Sequence, residues 1–147
     1  MKTQKIFITD DDKWYANVVA NTLSLHNFSN VEVFTNSRSM LNNLYQMPNI
    51  IVLDLIMPQV SGIEALKEIK SFDPDIFVII LSAQKDVELA VQTLKYGSFD
   101  YIIKDDVSIV RLLNTIKKIT ELEKPKKISY FSKLLTSKKN KKLELHI

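Results

Sequence analysis

Polar side chains able to do chemistry follow four short apolar runs of the sequence. They are Asp10 and Asp11 after Lys5–Thr9, Asp54 after Ile50–Leu53, Ser82 after Ile76–Leu81, and Lys104 after Tyr101–Ile103. Short apolar runs rich in β-branched residues are typical of strands covered on both faces. Open α/β sheets bind their ligands at the carboxyl ends of the strands. If the runs belong to one parallel sheet, three carboxylates, a hydroxyl and an ammonium group meet at one shallow site.

These groups suit the transfer of a phosphoryl group to a carboxylate. Clustered carboxylates without Cys or His form an oxygen site that favours Mg²⁺ (or Mn²⁺) over zinc or copper. Asp54, as the nucleophile, would form an acyl phosphate. The cation, the Ser82 hydroxyl and the Lys104 ammonium would each hold one oxygen of the transferring group, because positioned charges do most of the work in this reaction.

Each of these residues also has a structural explanation without chemistry. Asp54 can cap a turn, an aspartate of the first cluster can cap the helix that follows, Ser82 can cap a helix, and Lys104 can be a solvated loop lysine. Four strand ends that carry such groups together are harder to assign to chance, so we favour the functional interpretation. Asp12 is predicted to be a helix cap rather than a ligand.

Segments with helical periodicity separate the strands, so that strands and helices alternate along the chain. A half-exposed outer strand is predicted at Val31–Phe34, where apolar and polar residues alternate. This order implies a parallel sheet wound on both faces by right-handed crossovers. The predicted fold class is therefore α/β, with a doubly wound, five-stranded parallel sheet.

The helices are predicted from their caps and apolar stripes. The first runs from about Lys13 to Leu25, the fourth begins near Asp86, and Ser37 and Ser61 cap the second and third. The stripes expected to face the sheet are Trp14, Ala16, Val18, Val19 and Leu25 in the first helix, Val87, Ala90, Val91 and Leu94 in the fourth, and Ile109, Leu112, Leu113, Ile116 and Ile119 in the fifth.

The composition excludes several classes of protein. The chain has 147 residues, 46% of them hydrophobic and 25% charged, and it contains no cysteine, which excludes disulfide frameworks and thiolate metal sites. No apolar stretch approaches the roughly 20 residues of a transmembrane helix. The N-terminus is too acidic after its short apolar part to be a signal peptide. We therefore expect a cytoplasmic protein with no membrane partner.

The net charge of +3 is unevenly distributed. Residues 1–121 carry 12 Lys+Arg and 15 Asp+Glu, a net charge of −3, whereas residues 122–147 carry 8 Lys and 2 Glu, a net charge of +6. We predict one domain over residues 1–121 and a basic C-terminal tail or linker over residues 122–147, with room for a short helix. The tail is too short for a helix-turn-helix domain, so direct DNA binding is not expected.

Four motifs together resemble the receiver domain of response regulators in bacterial two-component signalling, of the chemotaxis-regulator kind. They are the acidic cluster ITDDD, the segment VLDLIMPQVSG, and the short motifs ILSA and FDYIIK. The resemblance covers about residues 4–121 and implies a (βα)5 flavodoxin-like fold with strand order 2-1-3-4-5. It also implies a phosphorelay protein that promotes only its own phosphorylation and dephosphorylation, not an enzyme that acts on an external substrate.

The resemblance implies a set of metal ligands around the phosphoacceptor, Asp54. Asp11 would be the main direct ligand of Mg²⁺, with Asp10 binding largely through water. The Asp54 carboxylate and the backbone carbonyl of Ile56 would complete the protein ligands. The phosphoryl donor would be a histidine kinase or a phosphotransfer protein.

The resemblance also implies a switch. Ser82 and Lys104 would bind the phosphoryl group, and the rotamer of Tyr101 would follow the movement of Ser82. A downstream protein would then bind the face formed by the fourth helix, the fifth strand and the fifth helix. Supporting loop positions would be Pro58, Gly62 and Ala83.

The sequence departs from the family pattern at two places. The family usually has a cis proline after the lysine, but Asp105 follows Lys104. Since a cis bond without proline costs about 2.5–4 kcal/mol, we expect either a trans peptide with a shifted loop or a strained cis peptide. The second departure concerns Ile56 and Gln84, two residues after Asp54 and Ser82. An apolar Ile56 cannot orient an attacking water, so slow self-dephosphorylation is predicted.

Three other interpretations compete with this one. A phosphohydrolase resembling the haloacid dehalogenase family would use Asp10 and Asp12, but that family has a small residue where Trp14 stands. A nucleotide-binding domain lacks its glycine-rich loop, since the chain has only two glycines. The chain could also be the receiver fragment of a longer DNA-binding regulator.

Neither of the two histidines, His26 and His146, is predicted to take part in phosphotransfer.

Overall fold

Five strands alternate with five helices in residues 3–123, the part of the chain that this computed structural model describes. The strands are β1 (Ile6–Thr9), β2 (Val31–Phe34), β3 (Ile50–Leu53), β4 (Phe77–Ser82) and β5 (Asp100–Ile103). The helices are α1 (Lys13–Leu25), α2 (Ser37–Leu41), α3 (Gly62–Phe72), α4 (Val87–Lys95) and α5 (Ser108–Glu123), and a 3₁₀ turn spans Leu44–Gln46. The predicted alternation is confirmed.

All five strands run parallel, in the order β2-β1-β3-β4-β5. The predicted fold class and strand order are therefore confirmed. Thr9, the last residue of β1, pairs with Leu53, the last residue of β3. Ser82, at the end of β4, pairs with Ile103. This register brings the residues that follow β1, β3 and β5 to the same edge of the sheet as Ser82.

Burial follows the predicted strand types. Every residue of β1 and of β3 is buried, as expected of inner strands covered on both faces, whereas three of the four residues of β2 are only partly buried. One large apolar cluster on the sheet includes Phe7, Phe34, Ile51, Leu66 and Ile80. This core packs against the central strands, and the loops that carry the polar residues start where those strands end.

Side-chain caps mark the start of four helices. Asp12 caps α1 by accepting from Tyr15 N at 3.1 Å, as predicted, and Ser61 caps α3 by accepting from Glu64 N at 3.3 Å. Asp86 caps α4. The prediction for α2 was wrong by one residue, since its cap is Asn36. Ser37 is buried, and its hydroxyl donates to Met57 Sδ at 4.0 Å instead of capping the helix.

Two predicted apolar stripes are oriented differently from the expectation. In α1, Trp14 is 73% exposed and Leu25 is 83% exposed, while Leu23 is buried with Ala16 and Val19. In α4, Val87 is 76% exposed and Leu94 is 50% exposed. Periodicity identifies an apolar face of a helix, but the neighbouring elements decide how the helix is rotated against the sheet.

The chain divides into a first compact unit that ends at Ile116 and a second that begins at Lys117. The sheet and the site described below belong to the first unit. No helix within residues 3–123 is long and apolar enough to cross a bilayer. Most of the predicted basic tail, from residue 124 onward, and His146 lie outside the described residues.

Candidate functional site

Three carboxylates meet where β1 and β3 end. Asp10 is 3% exposed and Asp54 is 7% exposed, while Asp11 faces solvent. One ligand oxygen from each of the three lies within 4.8 Å of the others. The cluster follows from the register, because Asp10 and Asp54 come directly after the paired residues Thr9 and Leu53. The structure thus brings together the three acids that the sequence predicted.

The backbone around Asp54 is held on both sides. Asp54 N donates to Thr9 O at 3.0 Å on the β1 side. On the other side, α3 begins so close to Asp54 that a Cβ atom on Gly62 would stand 2.7 Å from Asp54 O and would also overlap Leu55 Cα. Only glycine fits there, which supports the predicted role of Gly62 in the loop. Pro58 lies in the same loop, where its carbonyl accepts from Val60 N at 3.1 Å.

Lys104 bridges the two buried acids. Its Nζ atom donates to Asp10 Oδ2 at 2.7 Å and to Asp54 Oδ2 at 3.0 Å. The Lys104 side chain is itself only 18% exposed. Lys104 directly follows β5 and Asp54 directly follows β3, so the ammonium group reaches across β4 to join the carboxylates.

For both Asp10 and Lys104, burial and the ion pair act on the pKa in opposite directions, and the net result is a raised pKa in each case. Burial raises the pKa of Asp10, although the Lys104 ammonium and the Asp12 N–H lower it in part. Burial alone would lower the pKa of Lys104, but the hydrogen bonds to Asp10 and Asp54 outweigh it and leave the pKa raised. Lys104 therefore stays charged throughout the physiological range of pH.

The remaining carboxylate oxygens leave a donor set suited to a hard cation. Asp10 Oδ1 accepts from Asp12 N at 2.9 Å, and Asp54 Oδ1 accepts from Ile56 N at 3.2 Å. Every group of the cluster offers oxygen, the ligand that Mg²⁺ and Mn²⁺ prefer. The bond from Ile56 N also places Ile56 directly beside the acids. The residues present therefore fit a divalent cation of this class.

Ser82 and Tyr101 are joined through the loop that follows β4. Ser82 is fully buried, and its Oγ accepts from Gln84 N at 3.3 Å. The Tyr101 hydroxyl donates to Gln84 O at 2.7 Å. Burial raises the pKa of Tyr101, and the neighbouring Ser82 hydroxyl partly opposes that effect. The backbone of Gln84 thus connects the two predicted switch residues, and Ala83 lies exposed between Ser82 and Gln84.

The peptide between Lys104 and Asp105 is trans, as are all peptide bonds in the described part of the chain. Of the two predicted outcomes, the cis form is therefore excluded. Asp105 organises the loop in place of proline: its Oδ1 accepts from Val107 N at 2.9 Å, and its carbonyl accepts from Ser108 Oγ at 2.9 Å. The loop into α5 is thus built as a hydrogen-bonded turn.

Sequence reasoning missed Tyr15. The Tyr15 ring centroid lies 4.5 Å from Lys104 Nζ, and its hydroxyl lies 3.1 Å from Ser108 Oγ. The signal available in the sequence was its position in the first turn of α1, because a helical side chain points back over the preceding turn. In α1 that turn lies beside the acids.

The phosphohydrolase interpretation uses Asp10 and Asp12 as its pair of acids, and the structure does not favour that pair. It needs Asp12 beside Asp10, but Asp12 Oδ1 caps α1 through Tyr15 N. Asp54, which that interpretation leaves unexplained, is buried and accepts a hydrogen bond from the Lys104 ammonium. His26 lies at the other end of α1, where its Nδ1 is 2.9 Å from Thr22 O. Asp12 is therefore engaged as a helix cap, whereas Asp54 lies within the acidic cluster.

Comparisons with known proteins agree with this geometry. The sequence profile described as "Response regulator receiver domain" matches residues 6–117. The regulatory protein AtoC of Escherichia coli (strain K12) is 31% identical over 125 residues, and the match covers 84% of this chain and 26% of AtoC. The chemotaxis protein CheY of Thermotoga maritima is 26% identical over 118 residues, and the match covers 78% of this chain and 98% of CheY.

A solved structure shows the same architecture. The crystal structure of a CheY-like response regulator receiver domain protein from Methanospirillum hungatei JF-1 superposes with a TM-score of 0.76 at 26% sequence identity, covering 83% of this chain and 98% of that one. The chain thus spans almost the full length of one relative but only 26% of AtoC. Because the family profile covers most of the described residues and the strand order and acidic cluster agree with it, the chain belongs to the response regulator receiver domain family.

Proposed function

We propose that the protein is a phosphorylation switch in which Asp54 accepts a phosphoryl group from a histidine kinase or a phosphotransfer protein. The observation that carries this proposal is the position of the Asp54 carboxylate. It is 7% exposed, lies within 4.8 Å of two further carboxylates and is hydrogen-bonded to the Lys104 ammonium. A carboxylate placed in this way is oriented for attack on phosphorus and is flanked by the charge that the transfer requires.

In the proposed reaction, an Asp54 oxygen forms a bond to phosphorus while the bond from phosphorus to the donor imidazole nitrogen breaks. Asp11, Asp10, Asp54 and the Ile56 carbonyl would hold Mg²⁺ or Mn²⁺. The chemistry that such an ion supplies, when bound, is positive charge that offsets the repulsion between the carboxylates and the incoming phosphoryl oxygens. Lys104 then exchanges its Asp54 contact for a phosphoryl oxygen and keeps its hydrogen bond to Asp10.

The switch itself is proposed to run from Ser82 to Tyr101. The Ser82 hydroxyl would turn toward the phosphoryl group and give up the hydrogen bond from Gln84 N. Because Tyr101 donates to Gln84 O, movement of this loop changes the position of its hydroxyl. The phosphoryl group would thus bias an equilibrium between two arrangements of the loop.

The output surface is proposed to be the face formed by α4, β5 and the part of α5 before residue 117. Exposed apolar side chains on α4 support this assignment, since Val87, Val91 and Leu94 are 76%, 45% and 50% exposed. We propose that the domain promotes its own phosphorylation and dephosphorylation and acts on no external substrate. Since Ile56 cannot orient water, the phosphorylated form should be long-lived, and a half-life of seconds would contradict this.

A second candidate is that the chain is the receiver part of a longer regulator. The match to AtoC supports it, because the chain spans only 26% of that protein. If the basic C-terminal tail binds DNA directly, binding should fall steeply with salt and disappear when residues 124–147 are deleted.

A cytoplasmic location stays a prediction, because it depends on composition alone.

Exposure to acetyl phosphate with Mg²⁺, followed by peptide mapping, tests which aspartate is phosphorylated. We expect the modification on Asp54, and we expect Asp54→Asn to abolish uptake. Modification of Asp10 would instead favour the phosphohydrolase. Asp75→Asn, at an exposed turn on the opposite edge of the sheet, is the matched control and should react as the wild type does. Undiminished phosphorylation of Asp54→Asn would refute the proposal.

A further inference from the structure

Tyr15 contacts the site but belongs to none of the motifs that identified it. The side chain is partly buried in the first turn of α1. Its ring lies over Lys104, with the ammonium nitrogen 4.5 Å from the ring centroid. Its hydroxyl lies 3.1 Å from Ser108 Oγ, at the start of α5. One side chain therefore touches both the bridging lysine and the helix that follows it.

The hydrogen bonds around Tyr15 have a defined direction. The Ser108 hydroxyl donates to the carbonyl of Asp105, because a carbonyl oxygen can only accept. A serine hydroxyl has one hydrogen, so it has none left for Tyr15. The Tyr15 O–H must therefore donate to Ser108 Oγ. The chain of donors runs from Tyr15 through Ser108 to the backbone carbonyl of Asp105.

The Tyr15 ring also completes the surroundings of the Lys104 ammonium. An ammonium group has three donors, and two of them are used by Asp10 at 2.7 Å and Asp54 at 3.0 Å. The ring face attracts the remaining positive charge. Lysine has a flexible stem, so a group on the far side of the ammonium limits the positions that it can take.

We propose that Tyr15 is a positioning residue for Lys104. Its ring holds the ammonium toward the acids. Its hydroxyl is hydrogen-bonded to Ser108, which in turn donates to the carbonyl of Asp105, the residue after Lys104. The inference rests on the proposed function, in which Lys104 binds a phosphoryl oxygen. It predicts that Tyr15 affects phosphoryl binding only through Lys104.

The effect of Tyr15 on phosphoryl binding can be measured as the affinity for beryllofluoride in the presence of Mg²⁺, determined by isothermal titration calorimetry. Tyr15→Leu removes both the ring and the hydroxyl, and we expect binding to weaken by about fivefold. Tyr15→Phe keeps the ring and removes only the hydroxyl, so this variant should show a smaller loss. Ser108→Ala removes the partner of that hydroxyl together with the hydrogen bond to the Asp105 carbonyl, so its loss should be at least as large as that of Tyr15→Phe. Tyr45→Leu, at a tyrosine 72% exposed, is the matched control and should bind as the wild type does.

The decisive measurement is a double-mutant cycle with Lys104→Met. If Tyr15 acts through Lys104, Tyr15→Leu should cause no further loss of affinity once Lys104 is replaced. A loss of equal size in both backgrounds would show a general structural role and would overturn the inference. If Lys104→Met alone binds beryllofluoride as the wild type does, the proposed role of Lys104 fails, and the inference falls with it for a reason independent of Tyr15.

A spectroscopic signature separates positioning from stability. Protons on the Lys104 ε carbon, assigned by comparison with Lys104→Met, should resonate upfield because of the Tyr15 ring. Tyr15→Phe should keep this shift and Tyr15→Leu should remove it. An unchanged shift in Tyr15→Leu would show that the ring does not sit over Lys104 in solution and would overturn the inference.

Discussion

Replacing Lys104 with Met removes the charge that joins two buried carboxylates while keeping much of the side-chain volume. Asp10 and Asp54 are 3% and 7% exposed, and the Lys104 ammonium bonds to them at 2.7 and 3.0 Å. In a buffer with EDTA, no divalent cation takes its place. The two acids must then either repel each other or take up a proton.

The size of the effect follows from the distances. The carboxylate oxygens lie within 4.8 Å of one another, which corresponds to a repulsion of about 3.5 kcal/mol at an effective dielectric constant of about 20. Removal of one partner from a buried ion pair costs about 3–5 kcal/mol in general. We therefore expect Lys104→Met to lower the free energy of unfolding by about 3 kcal/mol at pH 7.

The loss should shrink as the pH falls. Burial raises the pKa of Asp10 above its ordinary value of 3.8, and removal of Lys104 removes an opposing effect. A carboxyl group with a raised pKa binds more protons in the folded than in the unfolded state, so stability is lost as the pH rises and regained as it falls. Protonation from a pKa of 3.8 costs about 4.4 kcal/mol at pH 7 and about 1.6 kcal/mol at pH 5. That cost limits the part of the penalty that comes from repulsion between two ionised carboxylates.

Urea unfolding at pH 7 and pH 5 in EDTA, with exposed Lys85→Met as the control, measures the difference. We expect a clear loss for Lys104→Met at pH 7, a smaller loss at pH 5, and recovery when Mg²⁺ is added at pH 7. An equal loss at both values of pH would refute the reasoning, because the penalty would then not come from ionised carboxylates. No loss at pH 7 relative to Lys85→Met would refute it as well.

Three further substitutions test the supporting structure by chemical denaturation. Thr9→Val should stabilise the protein by about 1 kcal/mol, because Thr9 Oγ1 is buried and has no hydrogen-bond partner among the described residues; a loss of stability would show that the hydroxyl is satisfied in solution. Gly62→Ala should destabilise by at least about 2 kcal/mol and weaken Mg²⁺ binding, since its Cβ would press on Asp54 O; wild-type values of both would contradict this. Asp12→Ala should cost about 1 kcal/mol through the lost cap of α1 and leave phosphorylation in place; loss of phosphorylation without unfolding would revive a catalytic role for Asp12.

The fold and most of the site could be predicted because the signals are local. Apolar runs marked four of the five strands, and alternating residues marked β2 as the half-exposed one. Caps such as Asp12 and Ser61 act on residues only three positions away, so they are visible in the sequence. The position of Asp54 after a buried strand followed in the same way. Only the cap of α2 was misplaced, by one residue.

The rotation of the helices could not be predicted in this way. Trp14 and Leu94 lie in apolar stripes but are exposed, because the sheet and the neighbouring helices decide which face of a helix is buried. The same limitation hid Tyr15, whose partners are Lys104, directly after β5, and Ser108, at the start of α5. Periodicity describes one helix at a time, whereas orientation depends on the elements packed around it.

By itself, the sequence determined the order of strands and helices and the kinds of polar group carried at the ends of the strands, because both depend on residues close together along the chain. Only the tertiary structure decided that the Lys104 ammonium lies between two carboxylates, one of them 94 residues away, and beneath the ring of Tyr15. Such contacts require the sheet to be assembled first, since its register sets the distances between the strand ends.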